Sequence, residues 1–132
     1  MSSQETPFRV FLFHEDLAAA DHLALPFWNA GFECWPFSQI EAMASSFKTI
    51  APHLAFLHFS TKHDALQVTI LIASLCPDCR FIVFTHGGDV GQQSGQAYRR
   101  GANYEVFVLS PNTEQLLHLA HVARNQRNSA QH

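Results

Sequence analysis

The stretch "HLAFLHFSTKHDALQ", residues 53–67, reads as a buried strand running straight into a capped helix, and its strand half closes on a histidine, His58. The apolar run is too short for a helix and too continuous for a strand with one wet face, so it belongs in a parallel sheet covered on both sides. Three further runs have the same character: "RVFLF" (9–13), "RFIVFT" (80–85) and "EVFVLS" (105–110). A fifth, "FECWPF" (32–37), contains Pro36, which cannot donate to a ladder and is predicted on an edge strand.

Helical patterns separate these runs. "SQIEAMASSFKTIAP" (38–52) opens with Ser38 and has Glu41 three residues on, a capping box, and its Ile40, Met43, Ala44 and Phe47 share one face. "DALQVTILIASLCP" (64–77) pairs Asp64 with Gln67 and predicts a buried stripe of Val68, Leu71, Ile72 and Leu75. "NTEQLLHLAHVARNQ" (112–126) pairs Asn112 with Gln115 and turns Leu116, Leu119, Ala120 and Ala123 inward. In "DLAAADHLALPFWNAG" (16–31) Pro26 predicts a kink or restart before Gly31 ends the helix. The glycines of "GGDVGQQSGQAYRRGA" (87–102) weaken a fourth helix, which is expected to be short.

Strand and helix thus alternate five times, which predicts an α/β protein: a flavodoxin-like (βα)5 three-layer sandwich around a parallel five-stranded sheet. Placing the proline-bearing second strand at the margin selects the order 2-1-3-4-5. One domain over residues 8–125, with flexible ends at 1–7 and 126–132, suits a chain of 132 residues that is 47% hydrophobic with 12 Phe. A formal charge of −3 with only 8 Lys plus Arg supplies no basic stripe for nucleic acid. No apolar segment has the length of a membrane span or the form of a signal peptide, and 3 Cys make a disulfide framework improbable. A cytoplasmic protein without membrane attachment is the expectation.

The predicted winding gathers the carboxyl ends of the first, third and fourth strands in one crevice, where ligands of open α/β sheets bind. His14, Glu15 and Asp16, then His58, then Thr85 and His86, and finally Ser110 with Pro111 stand at the strand ends. In this arrangement the chain resembles the CheY-like receiver domain of bacterial response regulators. "SLCPDCRFIVFTHG" (74–87) resembles that family's Pro-Asp turn and following strand ending in Thr; "YRRGAN" (98–103) and "FVLSPNTEQLL" (107–117) resemble its Gly-Ala turn, last strand and Pro-led last helix.

The resemblance implies a degenerate phosphorylation pocket, a pseudo-receiver. The acidic pair that binds magnesium falls on His14 and Glu15, the phosphoryl-accepting Asp on His58, and the phosphate-contacting Lys on Ser110. Thr85 and Phe107 match the hydroxyl and the aromatic of the family's switch. Magnesium takes hard oxygen ligands in an octahedral array, so the imidazoles leave a poor site for it and little stabilisation for an incoming phosphoryl group. A non-catalytic, phosphorylation-independent signalling domain is expected. It would act through self-association or contact with an effector domain, by the surface at 89–124.

The competing reading is a sensor of a metal or small ligand, because His14, Glu15 and His58 form a two-His, one-carboxylate set suited to a transition metal, with Asp16 or His86 to complete it. No dinucleotide or phosphate-loop fingerprint follows any strand, the glycines of "HGGDVG" (86–91) read as a turn, and "HEDLAAAD" (14–21) is too acidic for a flavin phosphate. Cys76 and Cys79 in "CPDC" have redox or half-zinc spacing, which the Pro-Asp turn explains as coincidence. His118 and His121 read as a solvated face, and Phe27, Trp28 and Trp35 as core aromatics by default, with a partner patch as the alternative.

Overall fold

The computed structural model describes residues 7–60, 62–85, 97–108 and 112–130. Six strands and four helices follow in the order β1 (Arg9–His14), α1 (Leu17–Asn29), β2 (Glu33–Phe37), α2 (Ile40–Ser46), β3 (Leu54–Phe59), α3 (Lys62–Leu75), β4 (Arg80–Thr85), β5 (Ala97–Arg100), β6 (Tyr104–Val108) and α4 (Thr113–Ala130). They build one sheet of order β2-β1-β3-β4-β6-β5. The five predicted strands are parallel and stand in the predicted order, with Pro36 on the edge strand β2. The count of five is corrected to six. Residues 97–100, read from sequence as the end of a glycine-weakened helix, pair antiparallel with β6 as an extra edge strand. The remainder of that predicted helix lies outside the described residues.

Helices cover both faces. On one, Ala20, Ala24 and Phe27 of α1 and Leu116 and Ala120 of α4 pack on Val10, Leu12, Leu54, Phe56, Ile82 and Phe84. On the other, Met43 of α2, Phe47 at its C-cap, and Ala65, Ile72 and Ala73 of α3 pack on Phe11, Phe13, Leu57, Phe81, Val83 and Val106. Strands β1, β3 and β4 feed both cores because successive side chains alternate between faces. A fully buried side chain of this kind contributes about 1.5–3 kcal/mol.

Local signals placed most helix ends. Asp16 caps α1 by accepting the Ala18 N–H at 3.0 Å. The helix runs without a restart through Pro26 and ends at Gly31, whose φ of +89° is open to glycine at no steric cost. There Phe32 N–H reaches Phe27 O and Gly31 N–H reaches Trp28 O, the paired bonds of a Schellman stop. At α4 the predicted box is formed in both directions, Gln115 N–H to Asn112 Oδ1 and Asn112 N–H to Gln115 Oε1, each at 2.8 Å. This helix continues to Ala130, past residue 125.

Two caps differ from expectation. Gln39, not Ser38, precedes α2 and makes no side-chain cap bond. Helix α3 starts at Lys62, which places Asp64 inside its first turn instead of before it. The buried stripe of α3 is also rotated from the one predicted: Ala65, Thr69, Ile72 and Ala73 face the sheet, while Leu71 and Leu75 are 67% and 64% exposed. The sheet beneath α3 carries Phe59 and Phe81. Small residues on the helix accommodate those rings at close packing, and the leucines turn outward.

Candidate functional site

The parallel register sets the site. His14, the last residue of β1, is paired directly with His58, the penultimate residue of β3. Neighbouring residues in register point to the same face, so the two imidazoles lie side by side, stacked with ring centroids 4.6 Å apart and planes 3° from parallel. The row continues across the sheet. His58 is in register with Phe84 of β4, and Phe84 with Phe107 of β6, their rings stacked at 5.9 Å. Four rings from four strands thus form one line from the histidine pair toward the β6 side.

Hydrogen bonds hold the rim. Asp16 N–H donates to His14 Nδ1 at 3.0 Å, which leaves the proton of the neutral ring on Nε2. The Asp16 carboxylate is engaged as the α1 cap, and the Glu15 carboxylate accepts from Ser60 Oγ at 3.4 Å. Beneath His58 a cavity of about 40 Å³ is lined by Leu12, Leu23, Phe56, Phe84 and Leu116 among others. Its walls are apolar, so it offers no second polar partner to a small ligand.

Of the residues singled out from sequence, the structure brings His14 and His58 together with Glu15 and Asp16 at the exposed lip. Thr85 is not brought to them. It pairs with Phe59, one step out of phase with His58, so it faces the α2–α3 side, fully buried and with no hydrogen-bond partner for Oγ1 among the described residues. Phe107 joins the histidine row through Phe84. His86, Ser110 and Pro111 lie outside the described residues.

The stack also bears on the two-His, one-carboxylate metal set. Imidazole lone pairs lie in the ring planes, and one ion cannot sit in two parallel planes at once. Among the described residues no group of three or more His, Cys, Asp or Glu is arranged to hold a metal ion. As placed, His14, Glu15 and His58 adjoin one another without converging. Two contributors escaped the sequence reading: Ser60, which orients Glu15, and Phe84, which extends the row. Phe84 carries no signal of its own, because its alignment with His58 exists only once the register is known.

A groove of about 580 Å³ opens beside this row, on the same face of the sheet, between α4 and strands β4 and β6. Ile82, Phe84, Phe107 and Leu119 give it apolar walls, and Arg100 and Glu114 stand at its rim. Among the described residues α1 and α4 cover β1 and β3, and no helix covers the β6–β5 half of this face. Among the described residues no helix is long and apolar enough to cross a membrane.

No protein-family model matches the chain, and no curated protein matches it. Solved structures do. A CheY-like response-regulator receiver domain protein from Methanospirillum hungatei superposes with a TM-score of 0.70 at 13% identity, over 94% of this chain and 99% of its own. A two-component transcriptional regulator from Clostridium phytofermentans gives 0.66 at 15% identity, over 95% and 99%. A beryllofluoride-activated DrrB receiver domain gives 0.66 at 15% identity, over 91% and 99%.

Proposed function

We propose that this chain, whose fold is that of response-regulator receiver domains, is a non-catalytic bacterial signalling module of the cytoplasm that acts through protein contact without phosphorylation of an Asp. The single observation that carries this reading is the face-to-face pair His14–His58. It stands where the receiver resemblance puts one magnesium carboxylate and the phosphoryl acceptor. Phosphoryl transfer is catalysed almost entirely by positioning and by charge stabilisation from a bound cation. Two imidazoles supply neither hard oxygen ligands nor an acyl-phosphate acceptor. Of the nearby carboxylates, Asp16 is committed to the α1 cap and Glu15 to Ser60.

The contact surface we assign is the apolar groove between α4 and strands β4 and β6, which overlaps the 89–124 region expected from sequence and adds Ile82 and Phe84 of β4, taking a second copy or an effector domain. Phe107 belongs both to its wall and to the ring row that begins at the histidines. A change at the pair therefore has a packed route to the groove.

The test has two arms. Incubation with a small phosphodonor and magnesium is expected to leave the mass unchanged; a hydroxylamine-labile phosphoryl adduct would overturn the phosphorylation-independent reading. Light scattering and pull-down from lysate, repeated with Phe107→Glu, are expected to show association that the charge abolishes. Association indifferent to that substitution would remove the groove from the mechanism.

A further inference from the structure

At the opposite end of the sheet from the histidines, Cys76, Pro77, Asp78 and Cys79 form a tight turn between α3 and β4. Cys79 N–H donates to Cys76 O at 3.1 Å, the i to i+3 bond of a β-turn. Such a turn holds its end Cα atoms within about 7 Å, inside the range that a disulfide spans. We propose that Cys76 and Cys79 are a redox pair in which a hydroperoxide oxidises Cys76 and Cys79 then closes an intramolecular disulfide.

The two thiols are built unlike one another. Cys76 is half-buried, whereas Cys79 is 1% exposed in the core under α3. The Cys79 thiol donates to Arg80 O at 3.5 Å, and the turn sets it beside Cys76. The neighbouring Cys79 side chain, aided by its backbone N–H, brings the Cys76 pKa down to about 7 against the opposing effect of burial. Burial pushes the Cys79 thiol far up, so it stays protonated. A thiolate just past the end of α3 would ordinarily meet the repulsion of unpaired helix carbonyls. Here Asn103 Nδ2 shares its two hydrogens among Ala73 O, in the last turn of α3, and Cys76 O and Cys79 O of the turn, at 3.0–3.2 Å, and so pins the turn to the helix end. Among the described residues no third ligand joins the pair to make a metal site. Cys34 on β2 is buried, with its pKa pushed up to about 12 by burial, and serves as an internal control.

With hydrogen peroxide, the Cys76 thiolate attacks one peroxide oxygen, the O–O bond breaks and hydroxide leaves, giving a sulfenic acid. Cys79 sulfur then attacks Cys76 sulfur, the S–O bond breaks, and the departing oxygen takes the Cys79 proton as water. Two thiols have lost two electrons to one peroxide, and two waters are formed.

Both cysteines fall in one tryptic peptide, His63–Arg80. In the intact native protein, alkylation by iodoacetamide is expected first at Cys76, with a midpoint near pH 7. About fifty times more thiolate than an ordinary thiol at neutral pH, set against roughly eightfold lower nucleophilicity, gives an alkylation rate roughly sixfold faster. After hydrogen peroxide the peptide is expected to be lighter by two hydrogens and closed to alkylation at both positions, with Cys34 still free. In Cys79→Ser the sulfenic acid is expected to persist on Cys76 and be captured by dimedone. An unchanged peptide mass after peroxide, or Cys34 reacting as fast as Cys76, would overturn the proposal. Both of those readouts use the natural sequence, so they stand whether or not Cys79→Ser folds.

Discussion

Acid should loosen this protein through one residue, His53, and the effect can be isolated. His53 precedes β3, stacks on Phe8 with centroids 5.0 Å apart, and accepts the Arg9 backbone N–H on Nδ1 at 2.9 Å. That bond ties the start of β1 to the start of β3, and it requires an unprotonated Nδ1. Burial, then the charges of Arg127 and Arg9, lower its pKa from 6.5 to about 4, with Glu33 opposing. Between those values the unfolded chain binds the proton and the folded one does not. Stability from this residue is therefore fully present above pH 6.5 and is lost as the pH falls toward 4. The whole interval would correspond to about 3 kcal/mol, and because the ring is only partly buried, solvent screening reduces this to roughly 1–2 kcal/mol. His53→Asn keeps an acceptor, Oδ1, near the position of Nδ1 but does not titrate. Urea unfolding of both proteins from about pH 7.5 to about pH 4.5 is the assay. With a urea slope of about 2 kcal/mol per molar, the natural protein should lose roughly 0.5–1 M more in midpoint than the variant over that range. The carboxylates and other histidines are common to both and cancel in the difference. Parallel pH profiles would refute the reasoning.

Substitutions at three further positions probe the packing and the helix ends. Thr69 is fully buried on α3, and its hydroxyl has no hydrogen-bond partner among the described residues. Thr69→Val is expected to raise stability by about 1 kcal/mol in chemical denaturation, while Thr69→Ser, which keeps the hydroxyl and deletes the methyl, lowers it by a similar amount. A destabilised Val variant would mean that the hydroxyl is bonded. Asn112→Ala removes one half of the reciprocal cap on α4 and should cost about 1 kcal/mol, read as a lower thermal midpoint, with Asn112→Asp restoring it. Gly31→Ala forces a β-carbon into φ +89° with nothing within 4 Å of it, so its cost, about 1–2 kcal/mol by calorimetry, comes from the backbone alone.

Several features are intrinsic to the sequence because their causes are local. The runs at 54–59 and 80–85 coincide with β3 and β4, since a short continuous apolar segment with turn residues on either side has few other ways to be buried. Asn112 and Gln115 meet because three residues of helix bring them together, and Gly31 stops α1 because its own φ permits it. The order of the five parallel strands followed from one proline and the handedness of crossovers.

What the tertiary structure decided depends on partners distant in the chain. Helix α3 is apolar around most of its circumference, so periodicity could not choose a stripe. The aromatic rings of the sheet chose the small residues and left Leu71 and Leu75 outside. Residues 97–100 became a strand because β6 offered an unpaired edge, a backbone interaction that no side-chain pattern announces. Likewise, His14 and His58 were legible as two strand ends, but their stacking, their separation from Thr85 and their alignment with Phe84 and Phe107 are properties of register. Register is a relation between chain segments far apart in sequence, so it exists only when the sheet is assembled.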